Sequence, residues 1–304
     1  MRKSFVGRLY YLIEYAPIWF LINVTRPIPL ERRGNIVGAA FSKLVLWLKP
    51  IKKRAEASIL TAFPDMNDAD RSDLIAAAGR NFGKTVTEVL NPDSFFEKPP
   101  RIEMTGPGLE VFKDYVAKKS GIVVASAHLG QWEALRVCFR NMGCEPGAVY
   151  RKNNNPYYER RFKWAITYGG AKAYARGTPE VKDMVRDAKE GGVIVILADQ
   201  RYRKGDLIPF FGKNAWTSTA PAGISLRLGV PLFTVYSIRH PWGIEVQFDE
   251  PIEPSSPEGM TLKVHESLER RIRDHPEQWY WFHQRWAEVD DEQSLTPQQT
   301  AVEG

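Results

Sequence analysis

Apolar residues recur at helical spacing through the first part of the chain. The segment 9–24 is apolar and aromatic along most of its length. A second helix is predicted where apolar side chains fall three or four positions apart, at Val37, Phe41, Leu44 and Leu48. A third helix is predicted over 68–90, because Asn67 or Asp68 can cap its start and Asn91-Pro92 stops it. These patterns predict a helical N-terminal region.

The pattern changes beyond residue 102, where short apolar runs alternate with amphipathic segments. Strands are predicted over 121–127, 147–151, 172–175, 192–198, 231–238 and 244–249. Helices are predicted over 107–119, 132–142, 156–168, 178–190, 219–228 and 258–274. A long loop is predicted between the most apolar strand and the helix that begins at 219. Apolar strands that alternate with helices are typical of an α/β fold, with a mixed, mostly parallel sheet covered by helices on both faces.

Three regions follow from these patterns. Residues 1–98 are predicted to form an N-terminal helical, membrane-associated region, and residues 99–289 an α/β domain. The polar residues 290–304 are predicted to be a disordered tail, because they offer too little apolar surface to fold.

The first helical segments have the character of a membrane-surface element. Segment 9–24 is short for a bilayer span and contains Glu14 and Pro17. A removed signal peptide is not expected, because no small-residue cleavage site follows. Basic residues flank the second helix, at Arg32, Arg33, Lys49, Lys52, Lys53 and Arg54. The alternative is an ordinary amphipathic helix packed on the core, and the pattern leaves open whether 9–24 spans the membrane or lies on it.

Composition limits the classes of partner and cofactor. The 42 Lys and Arg residues against 36 Asp and Glu give a net charge of +6, which favours nucleic acid, anionic lipid headgroups or an acidic protein as partner. Cys138 and Cys144 match no zinc spacing, and the sequence has no Walker loop or dinucleotide glycine motif. His275 and His283 lack a third ligand-spaced residue. We therefore predict neither a metal nor another cofactor.

The apolar run 121–126 leads into a histidine, a glycine and an acid, in the sequence Ala127-His128-Leu129-Gly130-Gln131-Trp132-Glu133. A buried strand that ends there delivers His128 to the sheet edge, and Glu133 can meet it from the first turn of the next helix. An imidazole oriented by a carboxylate is a general base for a hydroxyl, and the amides of Leu129 and Gly130 can stabilise an oxyanion. The alternative is a buried histidine beside an acid that caps a helix.

A second polar block follows the strand 192–198. Asp199 is expected at the same sheet edge as His128, because open α/β sheets gather ligand-binding residues at the carboxyl ends of their strands. Arg201, Arg203 and Lys204 form a short basic loop suited to phosphate or carboxylate. The alternative for these cations is a solvated surface loop.

An aromatic block lies close to the end of the chain. Trp279, Trp281 and Trp286 fall within a few residues of one another. They fit either a buried core or a position at a bilayer interface.

These blocks, in their order, resemble the late acyltransferases of lipid A biosynthesis, the lauroyl/myristoyl acyltransferase family within the wider glycerolipid acyltransferase group. The matching pieces are Ala62-Phe63-Pro64, the 128–133 block, Tyr150-Arg151 with Asn155-Pro156, Ala198-Asp199-Gln200, Pro209-Phe210-Phe211-Gly212, the 217–229 helix, and Pro276-Glu277-Gln278-Trp279 with His283-Gln284-Arg285. The set covers most of the chain. One departure is Gln284, where a second basic residue is common.

The resemblance implies transfer of a fatty acyl group from acyl carrier protein to a hydroxyl of a lipid A precursor, at the cytoplasmic face of the inner membrane. It gives His128 the role of base, Glu133 that of its partner, and Asp199 that of a required acid. The family also uses an arginine between these blocks. Arg151 matches by motif, and Arg160 or Arg161 is the alternative.

Two other functions compete with this one. The first is an acyltransferase for another lipid acceptor, such as a lysophospholipid or a glycolipid. The second is a non-catalytic basic protein that binds membrane or nucleic acid. An acid placed beside a histidine at a strand end is not needed for binding, so catalysis is favoured and nucleic acid is not expected as a partner.

Overall fold

The computed structural model of the protein describes residues 5–144 and 146–286. The predicted polar tail, 290–304, lies outside the described residues. Before the first strand the chain forms the helices α1 Phe5–Val24, α2 Leu30–Trp47, α3 Lys49–Ala62, α4 Asp68–Val89 and α5 Pro92–Glu97. Asn67 caps α4, because its Oδ1 accepts the backbone N–H of Asp70 at 2.9 Å.

The predicted second helix is interrupted near its end. Helix α2 stops at Trp47, and α3 begins with Pro50 in its first turn, a position where the missing N–H of proline costs nothing. The basic residues that were expected after the second helix therefore lie in α3. Arg33 is buried rather than exposed, and its Nη1 donates to Oδ1 of Asn91 at 3.0 Å.

Nine strands are described. They are β1 Ile102–Thr105, β2 Ile122–Ser126, β3 Pro146–Tyr150, β4 Lys172–Ala175, β5 Val193–Leu197, β6 Asp206–Phe210, β7 Lys213–Thr217, β8 Leu232–His240 and β9 Gly243–Phe248. The helices between and after them are α6 Leu109–Ala117, α7 Ala134–Asn141, α8 Pro156–Ile166, α9 Glu180–Lys189, α10 Ala220–Leu228 and α11 Pro257–Asp274.

Seven of these strands form one sheet in the order β1-β9-β8-β2-β5-β3-β4. Every neighbouring pair is parallel except β8 and β9, which form an antiparallel hairpin. Strands β6 and β7 form a separate antiparallel hairpin where a long loop was expected. The prediction of a mixed, mostly parallel α/β fold is confirmed.

Helices pack on both faces of the sheet. Ile122 and Val124 of β2 belong to one apolar cluster with side chains of α6 and α7. Their neighbours Val123 and Ala125 belong to another, with side chains of α10 and α11. Alternate residues of a strand point to opposite faces, so this central strand is covered on each side.

The N-terminal helices share a core with the chain around the tryptophan block. Ile59 of α3 and Ile75 of α4 are buried in the same cluster as Leu129, Trp279 and Trp281. The aromatic block therefore belongs to the protein core rather than to an exposed surface.

Helix α1 contacts the start of α8. Glu14 accepts a hydrogen bond from Nδ2 of Asn155 at 2.9 Å, and the same amide nitrogen donates to the carbonyl of Tyr11. The acid inside the apolar segment thus has a protein partner. Among the described residues, no helix combines the length and the apolar character needed to cross a membrane. The predicted membrane association of this region stays a prediction.

Candidate active site

The carboxyl ends of four neighbouring strands meet at one pocket of about 810 Å³. His128 lines it just after β2, Arg151 just after β3 and Arg176 just after β4. Ligands of open α/β sheets bind at this edge, so the pocket lies where the sequence predicted the site.

His128 and Asp199 are in direct contact beside this pocket. Nδ1 of His128 lies 2.8 Å from Oδ1 of Asp199, and the backbone N–H of His128 donates to Oδ2 of the same carboxylate at 3.1 Å. The indole N–H of Trp279 donates to Oδ2 at 3.0 Å. Asp199 is only 3% exposed, so its carboxylate is shielded from the pocket by the groups that bind it. Asp199 lies at the sheet edge where it was expected, and its contacts are those of a group that orients His128; the substrate-binding role expected for it from the sequence stays a prediction.

These contacts determine which imidazole nitrogen is free. Burial alone raises the pKa of Asp199, but the charge of His128 and the hydrogen bonds from His128 and Trp279 outweigh burial and lower that pKa below its ordinary value. An ionised Asp199 requires Nδ1 of His128 to carry the proton and donate it. The unprotonated Nε2 is then the basic atom of this ring.

Glu133 does not contact His128, contrary to the sequence-based prediction. Its carboxylate accepts a hydrogen bond from Nη1 of Arg136 at 2.7 Å, and its backbone N–H donates to Oε1 of Gln131. Glu133 lines the same pocket as His128. The reason for the difference is that residue 133 immediately precedes α7, where Arg136 lies three positions away on the same helical turn.

The backbone amide of Gly130 is not available to an oxyanion. Its N–H donates to the carbonyl of Gln278 at 3.0 Å, and the N–H of Tyr280 donates to the carbonyl of His128 at 3.1 Å. Gly130 has a φ of 56°, and a Cβ atom there would lie 2.0 Å from the carbonyl oxygen of Ser237. The turn after His128 is therefore closed against the chain at 278–280 and requires glycine.

A buried polar network behind this turn was missed by sequence reasoning. Arg239 of β8 forms an ion pair with Glu88 of α4, and its Nη2 also donates to Oγ1 of Thr85. Glu88 further accepts from the side chain of Gln131. Oγ1 of Thr85 in turn donates to the carbonyl of Gly130 at 2.8 Å. The network ties α4 to the His128 turn, and its members lie too far apart in sequence to show a motif.

Only some of the cations that were predicted to bind substrate line the pocket. Arg151 and Arg201 line the pocket, whereas Arg203 and Lys204 are exposed residues outside its wall. Arg161 is the second candidate for the family arginine. Its guanidinium donates to the carbonyl of Leu90, and it is not among the pocket-lining residues, nor is the exposed Arg160. Among these three arginines only Arg151 lines the pocket.

Further pocket residues were not predicted. Lys152, Arg176, Tyr280 and His283 line the pocket along with the residues already named. Arg176 directly follows β4, so the rule that pointed to His128 and Asp199 at strand ends could also have found it. The predicted strand at 172–175 is short, which makes the position of its end a weak signal in the sequence.

Apolar side chains line the rest of the pocket in two groups. One group comes from α4, α8 and the residue after α4: Phe82, Val86, Val89, Leu90, Phe162 and Ile166. The other comes from β3, β5, α9 and α10: Val149, Val181, Met184, Ile196 and Ile224. The pocket thus combines an oriented base, a set of cations and apolar walls. Apolar walls are suited to a hydrocarbon chain.

Comparison with known proteins identifies the family of this chain. Residues 5–288 match the family model of the bacterial lipid A biosynthesis acyltransferases. The lipid A biosynthesis palmitoleoyltransferase of Escherichia coli K12 is 26% identical over 305 residues, covering 93% of this chain and 94% of that protein. The lipid A biosynthesis acyltransferase of Shigella flexneri matches with the same identity and coverage. The chain is therefore an acyltransferase and belongs to the bacterial lipid A biosynthesis acyltransferase family.

Proposed function

We propose that this protein transfers a fatty acyl group from acyl carrier protein to a hydroxyl group of a lipid A precursor, with His128 as the general base. The observation that carries the proposal is the contact between His128 and Asp199 beside a pocket that is lined by both apolar and basic side chains. An ionised carboxylate on Nδ1 leaves Nε2 free to take a proton, which is the arrangement that activates hydroxyl nucleophiles.

The reaction needs one proton to move twice. Nε2 of His128 takes the proton of the acceptor hydroxyl as its oxygen attacks the thioester carbonyl. The tetrahedral intermediate then expels the thiolate of the carrier. This thiolate takes up the proton that His128 received from the acceptor hydroxyl. The products are an ester on the acceptor and a free thiol on the carrier, so no external acid or base is consumed.

The pocket walls fit the two substrates. The apolar side chains that line it can remove a fatty chain from water at a gain of about 0.8 kcal/mol for each buried methylene. Arg151, Lys152, Arg176 and Arg201 supply positive charge at the same strand ends. These cations suit phosphate groups of the acceptor or of the prosthetic arm of a carrier protein, and the net charge of +6 suits an acidic carrier.

We further propose that the exposed faces of α1 and α2 rest on the cytoplasmic surface of the inner membrane. Large apolar side chains are exposed there: Leu9, Tyr10, Leu12, Ile13, Trp19, Phe20, Leu21, Val24, Ile36, Leu44 and Trp47. Trp47 is 77% exposed, and the exposed cations Lys43, Lys49 and Lys53 lie close to it in sequence. Apolar side chains beside cations favour the interface of an anionic bilayer, and this location brings the pocket close to a lipid acceptor.

The test is an acyl-transfer assay with the full-length protein and its membrane-embedded acceptor. Acyl carrier proteins loaded with different chain lengths serve as donors, with acyl-coenzyme A as the competing donor class. A lipid A precursor and a lysophospholipid serve as competing acceptors. His128→Ala is expected to lower turnover at least ~100-fold, as for a lost general base, while circular dichroism remains unchanged.

His240→Gln is the matched control, because His240 pairs with Glu245 and lies outside the pocket wall. It should retain wild-type turnover. Transfer to a lysophospholipid but not to the lipid A precursor would overturn the proposed acceptor. Full turnover by a folded His128→Ala variant would overturn the proposed base.

A further inference from the structure

The segment that follows β5 binds two imidazoles, each through a different ring nitrogen. The residues Asp199, Gln200 and Arg201 follow β5. The Asp199 carboxylate accepts from Nδ1 of His128, whereas the backbone N–H of Arg201 donates to Nε2 of His283 at 2.9 Å. His128 is thereby left with a free acceptor nitrogen, and His283 must accept at Nε2.

An imidazole that accepts at Nε2 carries its proton on Nδ1 when it is neutral. Burial, the strongest cause, and the charges of Arg285, Arg201 and His128 lower the pKa of His283 to about 4, against an opposing effect of Asp199. The ring is therefore neutral at physiological pH, and its Nδ1–H is a donor. Among the described residues Nδ1 has no hydrogen-bond partner, and it is not sealed from solvent.

His283 and His128 lie on neighbouring segments of the chain beside the pocket. The segment that carries His283 runs beside His128, because Tyr280 donates its N–H to the carbonyl of His128 and Trp279 donates to Asp199. Both imidazoles and the ring of Tyr280 line the pocket. An unpartnered donor and an unpartnered acceptor thus belong to two side chains that line the same pocket.

We propose that His283 donates a hydrogen bond from Nδ1 to the thioester carbonyl oxygen and to the oxyanion that forms from it. This inference rests on the proposed acyl transfer. A neutral donor suits this position, because it stabilises developing negative charge without protonating it. Of the two amides expected from the sequence, that of Gly130 is already bound to the carbonyl of Gln278, so His283 adds a donor that the turn after His128 lacks at this position.

The step leaves the proton balance unchanged. His128 takes the proton of the attacking hydroxyl, and the carbonyl π pair moves onto the oxygen that accepts from His283. When the carbon–sulfur bond breaks, that pair re-forms the carbonyl and the thiolate takes the proton from His128. His283 keeps its own proton throughout, since its Nε2 remains bound to the N–H of Arg201.

Two conservative variants separate this role from a structural one. In His283→Gln the side-chain oxygen can occupy the Nε2 position and keep the bond from Arg201, but no donor remains near Nδ1. In His283→Asn the amide nitrogen comes close to the Nδ1 position and restores a donor. We expect His283→Gln to lower kcat about 100- to 1000-fold with little change in the KM of the acceptor, as when an oxyanion donor is removed. His283→Asn should recover part of that loss.

Isotope-edited infrared spectroscopy gives a direct readout. A carrier protein bearing a ¹³C-labelled thioester is bound to His128→Ala, in which the thioester persists. The carbonyl band is expected at lower wavenumber than in the free carrier, and this shift should vanish when His283→Gln is added. His275→Gln, outside the pocket wall, should leave the shift in place.

The outcomes are distinct. Wild-type protein that fails to transfer an acyl group from any carrier thioester would overturn the proposed function itself. Active wild-type protein with an undiminished kcat in His283→Gln would overturn this inference alone. So would a carbonyl band that stays in place when His283 is replaced. Equal losses in the Gln and Asn variants with an unchanged band would assign His283 a purely structural role.

Discussion

Nδ1 of His128 lies 2.8 Å from Oδ1 of Asp199, although 71 positions separate the two residues in the chain. The contact follows from the sheet register. Strands β2 and β5 are parallel neighbours in which Ser126 pairs with Leu197. His128 and Asp199 each lie two residues further on, so both leave the sheet at the same level and on adjacent strands. Two distant motifs thus form one site because of strand pairing.

The first prediction concerns Asp199→Asn. Oδ2 of Asp199 accepts from the N–H of His128 and from Trp279, so the amide oxygen of the variant must occupy that position. The amide nitrogen then faces Nδ1 of His128 and donates to it. The proton of the imidazole moves to Nε2, and the base is lost. We expect kcat to fall about 10²- to 10⁴-fold with the fold retained, measured by steady-state kinetics and circular dichroism.

Asp206→Asn is the matched control, because Asp206 is an exposed acid bound to Thr219 outside the pocket wall. Its kcat should equal that of the wild type. If Asp199→Asn folds and turns over normally, the carboxylate does not set the tautomer of His128, and the dyad has no role in the reaction.

The sequence predicted the class of the fold and the strand ends that carry the site. The prediction failed where a contact between two residues depends on which strands pair, and where a short strand shows no clear apolar pattern. Glu133 was assigned as the partner of His128 because it is close in sequence, whereas Asp199 reaches His128 across two strands. A single sequence does not reveal the order of strands in the sheet. The spacing of residues along the chain therefore could not identify Asp199 as the partner of His128.

The secondary-structure omissions have similar causes. Strand β1 has four residues, all half-buried, at the edge of the sheet, and so shows no apolar run. The hairpin of β6 and β7 contains Pro209, and each strand has only five residues without a regular alternation of polar and apolar side chains. Proline argues against a strand in a sequence pattern, but it is tolerated in a two-stranded ribbon where its missing N–H can face away from the partner.

The second prediction concerns Glu133→Gln. The carboxylate accepts from Arg136, whose guanidinium also donates to the carbonyls of Ala165 and Tyr168. The variant weakens one buried charged contact while the others remain. We expect a loss of about 1–3 kcal/mol in the free energy of unfolding, measured by chemical denaturation. The loss of kcat should be smaller than in Asp199→Asn, because Glu133 does not touch His128.

Arg136→Met and the double variant complete a cycle that measures the coupling between Glu133 and Arg136. A strong coupling energy supports a structural pair. The opposite result would be a loss of kcat as large as that of Asp199→Asn with unchanged stability. That outcome would place Glu133 at the reacting atoms, as the sequence analysis expected.

The third prediction separates the cations of the pocket from those of the neighbouring loop. Arg176→Ala and Arg151→Ala remove guanidinium groups that line the pocket. If they bind an anionic group of the acceptor, each should raise the KM of the acceptor by about 10- to 100-fold while kcat changes little. Kinetics with saturating donor measure both values.

Arg203→Ala is the control for these variants, since Arg203 belongs to the same basic sequence motif as Arg201 but lies outside the pocket wall. Its effect on the KM of the acceptor should be much smaller. A larger effect at Arg203 than at Arg176 would show that the acceptor binds over the loop rather than in the pocket. An effect confined to the KM of the donor would assign the cations to the carrier protein.

The fourth prediction concerns the pH dependence of stability through His265 of α11. Its Nδ1 contacts the carbonyl of Pro209 at 2.7 Å, and its Nε2 faces Nη2 of Arg285 at 3.1 Å. Burial, followed by the charge of Arg285, lowers the pKa of His265 to about 3. The neutral ring donates from Nδ1 and accepts at Nε2, so protonation would break its bond with Arg285.

The direction of the pH effect follows from proton binding. Between pH 6.5, the ordinary value for histidine, and about 3, the unfolded chain holds a proton at residue 265 that the folded protein lacks. The free energy of unfolding therefore falls as the pH is lowered through this range, by up to about 1.4 kcal/mol per pH unit from this residue.

His265→Gln removes the titrating group. Denaturation curves at several pH values between 7 and 4.5 should show a shallower decline for the variant. Above pH 7 the difference in stability between the two proteins should be constant, because both states hold residue 265 neutral there. Parallel declines below pH 6.5 would mean that His265 is protonated in the folded protein and that its bond with Arg285 is not formed in solution.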